Sequence, residues 1–319
     1  MDLLEKIKEK KVMLEGTDSV EGIAAVIRHI EMAERHLNMA TSENDDELIN
    51  DVIYRTNQAF EGILKEAYVV LTEESNKKIT PHQIEKHLIE TNVFTQRVME
   101  LYTNYRQNWR NPSTHDHKLF FDEQEALLAI VSVSAFIYIL FDQIIEQINF
   151  KKEQSEVQKT DELIQTLGKD YEILPFSKQI SVLILKFSQK LLRNEVTSLH
   201  EIEIIGQLGG FISVLDPSIN IIKEDFLMNE YHYMPDFIFE KDGKKIVVEI
   251  KLPRKLTSIR SVKEQIKKYI SVGTFDSGLI FFPPMYESQS MCEIDSIVEV
   301  AGKETPVSLI IPENLKSQI

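Results

Sequence analysis

The sequence predicts a two-domain protein with an all-α helical bundle first and a mixed α/β domain second. In the first half, apolar residues recur every three or four positions, and almost no strand pattern occurs. In the second half, helical patterns alternate with short apolar runs typical of strands. Between them lies a charged segment with few large apolar residues, FKKEQSEVQKTDE. The 319 residues, 43% of them hydrophobic, are enough to bury two cores.

The first half is expected to form four helices with short connections. In the first of these, Ile23, Ile27 and Ile30 lie on one face, and Asp122 is a good N-cap for the last. The most apolar run, 126–141, is sixteen residues long, which is short for a membrane span and indicates a buried core helix. The predicted helices cover 20–40, 46–74, 81–110 and 122–148.

The second half begins with two predicted helices, at 176–194 and 197–209, and continues with four strands. A helix at 257–272, with one apolar stripe, separates the second strand from the third. The predicted strands cover 236–241, 245–252, 277–283 and 306–312. We expect a helical bundle at 1–150, a linker or the exposed end of the long helix at 151–162, and an α/β domain at 163–319.

Composition limits the function classes. The net charge of -15 argues against a protein coated with nucleic acid, so any such contact must be local. Residues 241–268 offer such a patch, with ten Lys or Arg against three acidic residues. The single Cys292 excludes a disulfide framework and a cysteine zinc site. The start, MDLLEKIKEKK, lacks the apolar stretch of a signal peptide, so a cytoplasmic location is expected.

Asp242-Gly243, between two alternating apolar runs, predicts a two-residue hairpin turn, because both turn positions need positive φ. If residue 241 pairs with 244, Asp236 faces Glu249, and the apolar residues of the two strands also face each other. A three-residue loop would set Glu249 opposite Phe237 instead, and the matching apolar pairs favour the shorter turn.

This register places like charges opposite each other within the sheet, where they repel. Lys251 lies two residues after Glu249 and therefore on the same face. A divalent metal is the natural counter-ion for Asp236 and Glu249, since Mg²⁺ prefers one or two carboxylates with water and phosphate oxygens. A nearby lysine can orient a water molecule or stabilise charge on a phosphate.

Pro235-Asp236 followed by Glu249-Ile250-Lys251 resembles the PD-(D/E)xK nuclease superfamily. The resemblance implies a restriction-endonuclease-like α/β sheet core made of a helix, a three-stranded piece of sheet, a helix and another strand. It implies that Asp236 and Glu249 bind Mg²⁺ or Mn²⁺, with help from the Ile250 carbonyl. It also implies that Lys251 assists phosphodiester cleavage.

Two further features fit this resemblance. Gln265 and Tyr269, one turn apart on the next helix, resemble the Gln-x-x-x-Tyr motif of RecB-like exonucleases and are assigned to the catalytic site. Many members of the superfamily also use a glutamate of the preceding helix as a metal ligand. Glu203 is the candidate here, with Glu201 as its rival.

A second candidate site lies in the first half, in YRQNWRNPSTHDHKLFFDEQ. Arg110 is expected to end a helix because Pro112 opposes its continuation, and four residues separate Arg110 from His115. An imidazole moves protons near neutral pH and a guanidinium grips phosphate, which together suit metal-free cleavage of RNA through its 2′-OH.

Arg110-Asn111-Pro112-Ser113-Thr114-His115 before a long apolar helix resembles the HEPN family over about residues 20–150. The resemblance implies a dimeric ribonuclease without a cofactor at this site. Arg110 and His115 would be catalytic, and Asn111 and Glu61 would support them. Some HEPN domains are inactive and serve in dimerisation or binding.

Three hypotheses follow. In the first, the C-terminal domain is a Mg²⁺-dependent DNase and the bundle dimerises or senses nucleic acid. In the second, the bundle is a metal-independent ribonuclease toxin and the α/β domain binds a trigger or target. In the third, both sites are degenerate and the chain is a scaffold. The resemblances imply prokaryotic antiphage defence, a homodimer or higher oligomer, DNA in preference to RNA as the partner, a partner protein of such a system, and no membrane.

Overall fold

The computed structural model describes residues 2–318 except 44, 46, 73–78, 116–119, 160–166, 169, 194–198, 224–227, 229, 253–258 and 287–288. The chain divides into two compact units, which we call the helical unit (1–147) and the α/β unit (148–319). The protein is therefore α-helical in its first half and mixed α/β in its second, as the sequence predicts.

The helical unit is built around a cluster of aromatic rings. Phe60 lies 4.8 Å from Tyr105, 5.3 Å from Phe136 and 5.6 Å from Tyr102, measured between ring centroids. All four side chains are buried, so they join three helices into one core. The helices are α1 (Leu3–Val12), α2 (Val20–Glu43), α3 (Glu47–Thr72), α4 (Pro81–Glu90), α5 (Gln96–Tyr105), α6 (Asn111–His115) and the first part of α7 (Glu123–Gln158).

The predicted helix at 81–110 is interrupted. Asn92, just after α4, has a φ of 51°, a left-handed conformation that ends a helix. A π-helical turn, Arg106–Arg110, then follows α5 and leads directly into α6. The expectation that Pro112 stops the helix at Arg110 is wrong. Pro112 is the second residue of α6, and the turn before it already departs from the regular α-helical pattern, since the Asn111 N–H donates to the Arg106 carbonyl five residues back.

The last predicted helix has the expected start and a later end. Glu125 donates its backbone N–H to Asp122 Oδ1 at 2.8 Å, and Asp122 donates its own to Glu125 Oε2 at 3.0 Å, a reciprocal capping box. Of the two expectations for 151–162, the end of the long helix is confirmed as far as Gln158, although Glu153 and Val157 are buried there and not exposed. The predicted linker residues 160–162 lie outside the described residues.

By length and composition, α7 could cross a membrane, and it is the one helix of the described ranges that passes this test. However, 56% of its most apolar window is buried in the protein, as expected for a core helix.

The α/β unit contains a six-stranded sheet in the order β1-β2-β3-β4-β6-β5. The strands are β1 (Asn220–Ile222), β2 (Phe237–Lys241), β3 (Lys244–Ile250), β4 (Ser277–Phe281), β5 (Met291–Val300) and β6 (Lys303–Pro312). The helices are α8 (Phe176–Arg193), α9 (Glu201–Leu215) and α10 (Ile259–Val272), besides the end of α7 and the 3₁₀ turns Tyr171–Ile173 and Glu313–Gln318. Strands β3, β4 and β6 run parallel, and α10 connects the first two.

The predicted hairpin register is confirmed. Strands β2 and β3 pair antiparallel with Lys241 opposite Lys244 and Phe237 opposite Val248. The turn residues Asp242 and Gly243 have φ values of 50° and 74°, as a two-residue type I′ turn requires.

The two faces of the sheet carry different helices, because side chains alternate along each strand. Phe237 and Val248 join the core formed with α8 and α9. Ile238 and Val247 join the core formed with α10. By the same alternation, Asp236 and Glu249 belong to the face that α10 covers.

Candidate active site

Charged side chains converge at the carboxyl end of β3. Asp236 immediately precedes β2, Glu249 is the penultimate residue of β3, and Lys251 directly follows that strand. Lys251 donates its backbone N–H to the Phe281 carbonyl at 3.0 Å, which fixes the chain beyond β3 against the end of β4. The carboxyl ends of parallel strands are where α/β proteins usually bind ligands.

Glu249 is held by three side chains although it is only 1% exposed. Gln265 Nε2 donates to Glu249 Oε1 at 2.7 Å, and the Tyr269 hydroxyl donates to Oε2 at 3.2 Å. Lys251 Nζ lies 2.9 Å from Oε1. Gln265 also donates to the Tyr269 hydroxyl. The Gln-x-x-x-Tyr pair on α10 therefore orients the buried carboxylate from one side, and Lys251 contacts it from another.

Asp236 and Glu201 complete the cluster. The Ile250 backbone N–H donates to Asp236 Oδ2 at 2.6 Å, which holds this carboxylate against the end of β3. Glu201, in the first turn of α9, lies with Oε1 3.1 Å from Lys251 Nζ. Its other oxygen accepts the Leu252 backbone N–H at 3.4 Å.

The choice of Glu203 over Glu201 is wrong for this position. The Glu203 carboxylate accepts the His200 backbone N–H at 2.8 Å and so caps the start of α9. Glu201, the rival, reaches Lys251 instead.

The approach of α9 to the end of α7 depends on Gly210, where a Cβ atom would lie 2.3 Å from the Phe150 carbonyl oxygen.

The pKa shifts in this cluster indicate that it holds more carboxylates than cations. Burial and the charge of Glu249 raise the pKa of Asp236 well above its usual range, and burial raises the pKa of Glu249 despite Lys251. Burial alone would lower the pKa of Lys251, but the surrounding carboxylates raise it above its ordinary value. Lys251 is therefore an ammonium at neutral pH, suited to stabilise negative charge and not to accept a proton.

The oxygen atoms at this position fit a Mg²⁺ site that has few protein ligands. In the described part of the chain, no three His, Cys, Asp or Glu side chains are arranged to hold a metal ion. Mg²⁺ needs no such group, because it keeps several waters and takes one or two carboxylates with substrate phosphate oxygens. Asp236 and Glu249 supply the two carboxylates, with the Ile250 carbonyl as the third expected ligand. These oxygen donors do not suit zinc, which is held mainly by cysteine and histidine.

A second charged cluster surrounds Arg110 in the helical unit. Its guanidinium lies 3.7 Å from Glu61 Oε1 and 3.8 Å from Glu85 Oε1, and it donates to Asn111 Oδ1 at 3.2 Å. Arg106 Nε lies 3.2 Å from the other oxygen of Glu85. The structure thus brings together Arg110, Asn111 and Glu61, the grouping the sequence suggested.

Glu85 and Arg106 were not predicted from the sequence. Arg106 lies four residues before Arg110, a spacing that places both on one helical face, and this signal was available. Glu85 is 2% exposed, which no sequence pattern indicated. The backbone of His115 ends α6, but its side chain lies outside the described residues, so its meeting with Arg110 stays a prediction.

No protein-family model, no curated protein and no solved structure matches this chain. The inference of function therefore depends on the chemistry of the two charged clusters.

Proposed function

We propose that the protein is a Mg²⁺-dependent nuclease that cleaves DNA, and that the α/β unit is a PD-(D/E)xK domain with a restriction-endonuclease-like core. The observation that carries this proposal is the meeting of Asp236, Glu249 and Lys251 at the end of β3, set by a confirmed hairpin register. The order of the elements along the chain also supports it: α9, β2, β3, α10, β4 and then β6. Because helices cover both faces of the sheet, the end of the sheet at which these residues meet is left for a ligand.

Some of these residues hold the two carboxylates in place, and Lys251 stabilises negative charge on the phosphate. Bound between the carboxylates, Mg²⁺ would neutralise phosphate charge and lower the pKa of a water molecule. Gln265 and Tyr269 fix the Glu249 carboxylate, and burial together with Glu249 keeps the Tyr269 hydroxyl protonated by raising its pKa. The Ile250 N–H fixes Asp236. Lys251 places a positive charge where the scissile phosphate gains negative charge.

The decisive experiment is cleavage of supercoiled plasmid by the purified full-length protein. We expect cleavage with Mg²⁺, none with EDTA, and a loss of about 100-fold or more in Lys251→Ala, as for removal of a preorganised charge-stabilising group. Lys303→Ala is the matched control, since Lys303 is exposed and begins β6 at the opposite end of the sheet. Unchanged cleavage by Lys251→Ala would reject the proposal.

The Arg110 cluster supports a second candidate, a metal-independent ribonuclease in the helical unit, as in the HEPN family. The observation in its favour is the contact of Arg110 with Asn111 and Glu61 beside a π-helical turn, a feature frequent at functional sites. RNA cleavage should then survive EDTA and be lost in His115→Ala, with His82→Ala as the matched control. A broad RNA panel left intact by the wild type would reject it.

We further propose a cytoplasmic protein of a prokaryotic antiphage defence system, acting as a homodimer with the helical unit as the dimerisation or sensing module. These statements rest on the two family resemblances. A sedimentation experiment on the purified protein tests the dimer.

A further inference from the structure

Three tyrosines form a line from the surface of the α/β unit to the buried carboxylate of Glu249. Tyr231 and Tyr233 are stacked with ring centroids 6.2 Å apart, and Tyr233 meets Tyr269 edge-on at 5.8 Å. The Tyr269 hydroxyl then donates to Glu249. Tyr269 is 3% exposed, whereas Tyr231 is 56% exposed. The line therefore begins in solvent and ends at the proposed catalytic site.

The backbone holds Tyr231 outward. The Tyr233 N–H donates to the Met228 carbonyl at 2.8 Å, and Met228 is buried at 1% exposure in the core under α10. His232, between the two tyrosines, has a φ of 56°, which non-glycine residues adopt at a cost. Such a conformation persists where the surroundings fix it, as the anchors on either side do here. The exposed ring is thus presented by an anchored turn.

Its position suits a nucleobase. An aromatic ring beside a phosphate-binding site offers a face on which a base can stack, and such stacking tolerates any sequence because every base has a π-face. Met234, which is 50% exposed, adds apolar surface next to this turn. Along α10, Arg260, Lys263, Lys267 and Lys268 outnumber the single acidic residue and supply positive charge for a phosphate backbone.

We propose that Tyr231 stacks on an unpaired base next to the scissile phosphate, so that the preferred substrate is single-stranded DNA or a single-stranded segment of it. This inference rests on the proposed nuclease function and adds the substrate class. In a duplex the faces of the bases are covered by neighbouring base pairs, so Tyr231 has no face to stack on unless the strand is opened.

The test compares binding of one labelled strand of about 12 nucleotides, a length within the range of single-strand sites, with binding of its blunt duplex. Fluorescence anisotropy is measured with the full-length protein in Ca²⁺, and a gel confirms that the strand stays intact. Tyr231→Ala should weaken single-strand binding about 5- to 100-fold, and duplex binding by less than about twofold. Tyr231→Trp should bind at least as tightly as the wild type.

Tyr54→Ala is the matched control, because Tyr54 is 54% exposed but lies in the helical unit. Equal single-strand affinities of Tyr231→Ala and Tyr54→Ala would overturn the inference, as would absent single-strand binding or a preference for the duplex. Mg²⁺-dependent plasmid cleavage together with any of these results would leave the nuclease standing. Tyr231-dependent binding without cleavage of either form would reject the nuclease and keep the stacking site.

Discussion

Two clusters of charged side chains, one in each unit, differ in their ratio of positive to negative groups. Around Arg110 in the helical unit, two guanidinium groups face two carboxylates, Glu61 and Glu85. At the end of β3 in the α/β unit, the described residues place three carboxylates around one ammonium, Lys251. In the balanced cluster, each charged side chain has partners of the opposite sign. A cluster with excess negative charge remains costly until a cation joins it, which is why we assign the metal site to the second.

The largest effect that tests this comparison is expected in the balanced cluster. Glu85→Gln removes the buried carboxylate shared by Arg106 and Arg110, whose side chains are 34% and 16% exposed. Because two partly buried cations lose their partner, the free energy of unfolding should fall by about 2–3 kcal/mol, somewhat less than for a fully buried pair. Urea denaturation measures this change.

Glu90→Gln on the same helix is its control, since Glu90 is 63% exposed, and its effect should stay within about 0.5 kcal/mol. Equal effects of the two substitutions would mean that the Arg110 cluster contributes no stability.

In the unbalanced cluster the same kind of substitution should have the opposite sign. Burial and Glu249 raise the pKa of Asp236, so its ionised form opposes folding at neutral pH. Asp236→Asn should therefore stabilise the metal-free protein by about 0.5–2 kcal/mol, a gain common when a strained functional site is relieved, while abolishing plasmid cleavage. Urea denaturation in EDTA provides the measurement.

Asp295→Asn is the counterpart, because its hydrogen bond with Lys178 lowers the pKa of Asp295 and the ionised form favours folding. This control should be neutral or slightly destabilising. A destabilised Asp236→Asn protein would remove the argument from charge imbalance.

Stability against pH sharpens the comparison further. Asp236 and Glu249 have raised pKa values in the folded state, above their ordinary 3.8 and 4.5. The folded state therefore binds more protons than the unfolded chain at a pH between the ordinary and the raised pKa values. As pH rises through this range, these groups lower the free energy of unfolding of the metal-free protein. Lys251, with a pKa raised above 10.5, stays charged throughout.

Because Mg²⁺ competes with these protons, the rise in Tm on adding Mg²⁺ should be near zero at about pH 4 to 5 and grow by several degrees toward neutral pH. Differential scanning fluorimetry from acid to neutral pH measures it. In Asp236→Asn the rise should be lost at every pH. A shift that does not depend on pH would place the metal elsewhere.

The last prediction concerns the turn that sets the register. Gly243 has a φ of 74°, so Gly243→Ala should cost about 1–2 kcal/mol through backbone strain alone. Gly168→Ala is the control, since a Cβ atom there meets no atom of the described residues within 4 Å and its φ is not left-handed. Thermal unfolding compares the two, and equal costs would show that the turn does not limit the hairpin.

The hairpin was predictable because turn chemistry, strand alternation and apolar pairing all gave one register. Helical spacing also predicted that Gln265 and Tyr269 share one face, since residues four apart are neighbours on a helix. Their place at this site came from the resemblance to RecB-like exonucleases and not from the spacing. Glu201 was not predictable over Glu203, because their roles depend on where α9 begins. If the N-cap lay two residues earlier, Glu201 and not Glu203 would hold the position that caps the helix.

Most other elements that escaped prediction are formed by tertiary context. β1 has only three residues, too few to show an alternation. β5 does alternate, with Ile294, Val298 and Val300 packed on the core under α10 and charged residues between them, so this signal was available and was missed. α1 reads LLEKIKEKKV, and its few buried residues are interspersed with lysines, of which Lys10 binds Asp142 at 2.7 Å. The continuation through Pro112 depends on the π-helical turn before it, which the sequence did not indicate.

The most direct test of the central claim, that excess carboxylate charge at the end of β3 holds a divalent cation, is anomalous diffraction from crystals soaked in Mn²⁺. We predict a peak between the carboxylates of Asp236 and Glu249, about 2.0–2.3 Å from an oxygen of each. A saturating soak that leaves this position without density, with both side chains ordered, would contradict the account.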